Sequence, residues 1–167
     1  MLRQSMLQLS HKIINNYTPK ISNTNINFLH IIYFDGCSKG NPGLAGAGAV
    51  IYTNYEETWC GSSFVGTHST NNEAEYAGLI LGLQKASEMN IKNIFVKGDS
   101  QLVINQMTGK YKCQSPNLLP LYQAAKKLED GFEKIEYKHV LRNLNHRADE
   151  LANIAITDYT IKKIVYK

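Results

Sequence analysis
The sequence predicts an α/β fold built on a five-stranded mixed sheet with helices on both faces, and three observations predict it. Three β-type runs follow one another between Phe28 and Val65. At Thr70 the apolar period changes from that of a strand to that of a helix. Beyond it, helical and strand-like segments alternate, so the first three strands form an antiparallel meander and the later ones enter by crossovers, parallel to their neighbours.

The run FLHIIYF from Phe28 is β-branched and aromatic and reads as a buried strand ending at Asp35, with a glycine-rich turn after it. Ala47–Thr53 and Glu57–Val65 are two further strands, joined by a polar turn at Asn54 to Glu56. After Thr70, the residues Tyr76, Leu79, Ile80 and Leu83 recur at i, i+3, i+4 and i+7, the stripe of a helix packed on a sheet, and Asn90 and its neighbours end it. Ile94–Lys97 is a short strand and Ser100–Met107 a short helix. A further helix, Asn117–Leu128, follows Pro116, whose ring suits a first helical turn. Ile135–Val140 is the fifth strand, and a last helix follows Asn145 with Ala148, Leu151, Ala152 and Ala155 on one face. The resulting organisation is an N-terminal extension over 1–27, one domain over 28–157, and a basic tail over 158–167 carrying Lys162, Lys163 and Lys167.

Composition bounds the function without choosing it. A chain of 167 residues is about one domain, and 43% hydrophobic with 19% charged residues is the balance of a globular protein. No stretch is long enough to span a bilayer, so no membrane partner is expected, and the expected state is a monomer. The three cysteines, Cys37, Cys60 and Cys113, are odd in number and far apart, which suggests neither a disulfide framework nor a zinc site and fits a reducing, cytoplasmic setting. The first 27 residues hold no acidic group; a mitochondrial presequence would look like this, and so would an Asn/Ser-rich disordered tail. The net charge of +4 is compatible with a polyanionic partner but common in proteins that touch no nucleic acid.

Four carboxylates stand out by position, and each has an ordinary structural reading. Asp35 could begin a turn with Gly36. Asp99 lies between a strand and a helix, where an N-cap belongs. Asp149, in a first helical turn, could favour the helix dipole. Glu75 is harder to dismiss, because it projects between Ala74 and Tyr76 on the flank of a packed helix, where an unpartnered carboxylate is costly. If the ends of two strands and the first turns of two helices converge, the four form an all-oxygen cluster suited to Mg²⁺ or Mn²⁺. Their mutual repulsion would make divalent cations the condition for clustering them.

Around these residues stand DGCSKGNPGLAG from Asp35, TNNEAEY from Thr70, GDSQLV from Gly98 and NHRADELAN from Asn145. In this order and at these separations they resemble type 1 ribonuclease H, over nearly the whole chain from Leu29 to about Ile156. The resemblance implies strand order 3-2-1-4-5, and Asp35, Glu75, Asp99 and Asp149 as catalytic ligands of two Mg²⁺ ions, for which Mn²⁺ can substitute. It implies sequence-nonspecific hydrolysis of the RNA strand of RNA–DNA hybrids and leaves double-stranded RNA open as a second substrate. Asn41, Asn71, Asn72 and Gln101 resemble the residues that approach the RNA strand in its minor groove, where amides can bond 2′-hydroxyls without reading sequence. Thr70 resembles a DNA-phosphate contact. Asn41 could equally serve its turn, and Thr70 could cap its helix.

Two departures limit the carry-over. The long basic handle of many bacterial members is missing, since only Gly109 to Ser115 separates the two helices. Lys110, Lys112, Lys126 and Lys127 are substitutes for it or plain solvated surface. The N-terminal extension lacks the motifs of the hybrid-binding domain of many eukaryotic members. Where the family often carries a mobile histidine for proton transfer or product release, two residues compete. His139 has a suitable offset from Asp149 but sits in a strand; Arg142 matches the V-x-R-x-x-N pattern of short-loop members and can approach a phosphate, though not act as a base. Two rival readings are a noncatalytic module of the same fold, against which the complete carboxylate set argues, and a transposase or integrase, which would not combine the first two motifs.

Overall fold
The computed structural model describes residues 29–165; the extension over 1–27, the strand start at Phe28 and Lys167 lie outside the described residues. Its strands are β1 (His30–Gly40), β2 (Gly43–Thr53), β3 (Glu56–Ser69), β4 (Asn93–Gly98) and β5 (Lys134–His139). Its helices are α1 (Asn71–Glu88), α2 (Gln101–Met107), α3 (Leu119–Glu129) and α4 (His146–Val165), with one 3₁₀ turn at Arg142–Leu144. The sheet order is β3-β2-β1-β4-β5, antiparallel across β1, β2 and β3 and parallel across β1, β4 and β5, as expected.

The glycine-rich segment after Asp35 is strand rather than turn. β1 continues to Gly40 and pairs with β2 in unbroken register from His30↔Thr53 to Gly40↔Gly43, leaving only Asn41 and Pro42 to reverse the chain. Gly36 in this strand and Gly78 in α1 serve close packing. A Cβ on Gly36 would lie 2.0 Å from the Ala74 carbonyl carbon and 2.1 Å from the Glu75 nitrogen, and one on Gly78 would lie 2.3 Å from the Asp35 carbonyl oxygen. The backbones of β1 and α1 therefore touch at the level of Asp35 and Glu75. The second hairpin turns on Asn54 and Tyr55, both with positive φ (51° and 71°), as a two-residue loop matched to strand twist requires.

α1 lies on one face over Ile32, Phe34, Ala49 and Ile51, burying Tyr76, Leu79 and Leu83 completely. α4 covers the opposite face through Ala148, Leu151, Ala152 and Ala155. Its first turn is pinned to β3 by Arg147, whose guanidinium reaches both carboxylate oxygens of Glu57 at 3.1 Å. Three local expectations change. The proline in the first turn of α3 is Pro120, not Pro116, because the helix starts at Leu119. Ser100 caps α2 by accepting from the Val103 amide, which frees Asp99 from that role. α4 runs on to Val165, so 158–165 is helix, held at Tyr159 by stacking on Phe64 at 3.7 Å.

Candidate active site
The parallel pairing of β1 with β4 ends at Phe34↔Gly98, and β1 continues paired with β2 alone. Asp35 and Asp99 are thus the residues immediately after the last β1–β4 pair, Asp35 midway along β1 and Asp99 just past the carboxyl end of β4. Glu75, near the start of α1, meets them because Gly36 lets that part of the helix sit directly on β1. Asp35, Glu75 and Asp99 each present a carboxylate oxygen within 4.8 Å of the others.

Their surroundings penalise charge. Asp35 and Glu75 are 4% and 6% exposed. Burial, followed by the charge of Asp99, pushes the Asp35 carboxyl up to about 7, although its Oδ1 accepts from the Gly36 amide at 2.8 Å. Burial, then the charges of Asp35 and Asp99, raises Glu75 well above the carboxylate range. Glu75 Oε2 is buried with no hydrogen-bond partner. Three carboxylates gathered at one strand end, with an orphaned oxygen among them, fit a hard divalent cation and little else.

Asp149 stands beside this triad rather than within it. Its charge reaches Asp35, but its Oδ1 is paired with Arg142 Nη2 at 3.0 Å. Arg142 is 79% exposed, on the 3₁₀ turn that leads into α4. His139 Nε2 lies 3.1 Å from the Asp99 main-chain carbonyl, so with a proton there it donates to backbone. The two residues that competed for one role thus hold different ones: Arg142 on a carboxylate side chain, His139 on the main chain.

The Thr70 side chain accepts from the Glu73 amide at 3.3 Å, and Glu73 Oε2 reaches back to the Thr70 amide at 2.6 Å, a complete capping box. Asn41 Oδ1 accepts from the Asn71 amide at 3.0 Å and ties the β1–β2 turn to the start of α1. Asn41, Thr70 and Asn72 then line a cavity of about 230 Å³ with Ser115, Asn117 and Leu118. Gln101 is exposed at the start of α2 and lines no part of it. Among the lysines, Lys110, Lys112 and Lys127 are exposed, whereas Lys126 is held by Glu129 at 2.5 Å.

Two kinds of residue escaped the sequence reading. Ser115 and Asn117 lie in the short inter-helix segment and carry no motif. Asn145 marks a helix boundary and opens the fourth motif in the sequence, but no contact is expected of it there; in the fold it is 1% exposed and its Nδ2 donates to Asp99 Oδ1 at 2.6 Å and to the Phe34 carbonyl at 2.8 Å. An asparagine before a helix signals a cap locally, and nothing local signals a bridge.

A 3-2-1-4-5 mixed sheet with carboxylates gathered where β1 outruns β4 defines the ribonuclease H-like class. The family model described as reverse transcriptase-like matches residues 33–155. Ribonuclease HI of Halobacterium salinarum is 41% identical over 127 residues, 75% of this chain and 63% of that protein. A bifunctional protein of Mycobacterium tuberculosis is 44% identical over 128 residues, of whose length the chain spans 35%. The solved N-terminal ribonuclease H domain of that protein superposes with a TM-score of 0.77 at 40% identity, covering 81% of this chain and 99% of that one. LC11 ribonuclease H1, solved in complex with an RNA/DNA hybrid, superposes with a TM-score of 0.74 at 33% identity, covering 78% and 99%. The chain belongs to the ribonuclease H family, type 1.

Proposed function
We propose that this protein is an endonuclease that hydrolyses the RNA strand of RNA–DNA hybrids, without sequence preference and with two Mg²⁺ ions that Mn²⁺ can replace. The observation that carries the reading is the buried triad Asp35, Glu75 and Asp99, whose oxygens approach within 4.8 Å while Glu75 Oε2 has no partner. The hybrid bound by the LC11 relative supports the substrate. Asp35, Glu75 and Asp99 would hold the cations, with Asp149 joining them when it leaves Arg142. When bound, such ions supply the charge that activates an attacking water and stabilises the leaving oxygen.

The remaining roles fall to the chain's own groups. Asn41, Asn71, Asn72 and Gln101 approach the RNA strand in the minor groove, where amides bond 2′-hydroxyls irrespective of sequence. Thr70, at the N-terminus of the 18-residue α1, takes a DNA phosphate, which the helix dipole favours. We assign Arg142 rather than His139 to the substrate, because the Arg142 guanidinium is exposed and the His139 ring is committed to the Asp99 carbonyl. The working location we propose is the reducing interior of a cell, consistent with three free thiols.

The test is cleavage of three end-labelled duplexes, hybrid, double-stranded RNA and double-stranded DNA, with Mg²⁺ and with excess chelator. The expected result is cutting of the hybrid's RNA strand with Mg²⁺ alone. Full activity in chelator, or a preference for DNA duplex, would overturn the proposal.

A further inference from the structure
We propose that Asn145 is a positioning residue that fixes the Asp99 carboxylate for cation binding; the inference rests on reading the triad as a cation site. Asp99 is the least confined of the three, since it follows the last residue of β4 and only Asp35 and Glu75 are fully buried. Among the described residues its carboxylate accepts a side-chain hydrogen bond from one donor, Asn145 Nδ2, at 2.6 Å. That is a charge-assisted bond at the short end of its range. The same nitrogen is anchored on the Phe34 carbonyl at 2.8 Å, one residue before Asp35.

Asn145 therefore links three parts of the centre: its side-chain amide joins the residue preceding Asp35 on β1 to Asp99 at the exit of β4, and its main-chain carbonyl accepts from the Asp149 amide in the first turn of α4 at 3.2 Å. Its two partners lie 111 and 46 residues earlier in the chain. Asn145 is 1% exposed, so solvent does not compete for its side-chain bonds. The His139 ring on the Asp99 carbonyl steadies the main chain from the other side. An amide suits the position: it donates to the carboxylate while adding no charge to a site already crowded with negative groups. Outer groups that orient a ligand in this way commonly contribute about 10–100-fold in metal affinity.

The test measures Mn²⁺ binding to the free protein by calorimetry, with no nucleic acid present, for wild type, Asn145→Ala and Asn145→Ser. Serine retains a small polar side chain suited to a helix start but is too short to reach Asp99, so it separates cation positioning from folding if the alanine variant unfolds. The expected result is a folded serine variant whose Mn²⁺ dissociation constant rises tenfold or more. Its turnover should be recovered at high Mg²⁺ with KM for hybrid unchanged, which a purely structural role would not produce. Equal Mn²⁺ affinity in wild type and the folded serine variant would overturn the inference alone; a wild type that binds no Mn²⁺ would overturn the cation-site reading with it.

Discussion

Replacing Asp35 by Asn should stabilise the cation-free protein, by an amount that depends on pH in a defined direction. In the unfolded chain the Asp35 carboxyl ionises near its ordinary value of 3.8, whereas in the fold burial and Asp99 push it up to about 7. The folded state therefore binds the extra proton between these values, and stability falls as pH rises through that window. Below pH ~4 both states are protonated and the penalty is absent; above pH ~7 it is complete and constant. At about 1.4 kcal/mol per unit, the difference amounts to about 4 kcal/mol. Asparagine has the same shape, keeps an acceptor for the Gly36 amide now bonded at 2.8 Å, and carries no such penalty. For a domain of this size, thermal melts in chelator should show the variant gaining on the order of 10 °C over wild type at pH 8 and almost nothing at pH 4. Added Mg²⁺ should raise the wild-type midpoint more than that of the variant. A gain that is the same at pH 4 and pH 8, or a variant less stable than wild type at pH 8, would refute the account of a site built from mutually repelling, desolvated carboxylates.

The two glutamates of the TNNEAEY motif should separate cleanly in single-turnover cleavage of a hybrid at saturating Mg²⁺. Glu73→Gln keeps an acceptor for the Thr70 amide and should leave turnover near normal, while Glu75→Gln removes a buried ligand and should lower it by several orders of magnitude, with both variants folded by circular dichroism. The opposite ranking would move the catalytic assignment to Glu73. Arg142→Ala should cost less than ~1 kcal/mol of stability, since its pair with Asp149 is exposed, yet raise KM for hybrid. An unchanged KM together with an unchanged salt dependence would remove Arg142 from the substrate.

The elements were legible in the sequence wherever the deciding interactions are local. The capping box of Thr70 and Glu73, the turn at Asn54 and the left-handed Asn90 (φ 57°) after α1 all join residues at most a few positions apart, and each stands where the residue types place it. The strand order came through the resemblance carried by four motifs, and the carboxylates through their positions at strand and helix ends. What the sequence left undecided involves residues far apart in the chain. Glycine marks turns in a local reading, but Gly36 exists to admit the α1 backbone, a partner nearly forty residues away, so β1 outran its expected end. Asp149 satisfies the sequence pattern of a fourth ligand, yet the structure pairs it with Arg142 beside the triad. Asn145 bridges to Phe34 and Asp99 only because β1, β4 and α4 are brought together by the packing of the sheet. Residue types at each element's ends follow from the chain alone, because backbone propensity and capping act over one turn. Which of them touch is set by the folded sheet, because close approach and hydrogen bonding across it depend on packing that no short window of the chain contains.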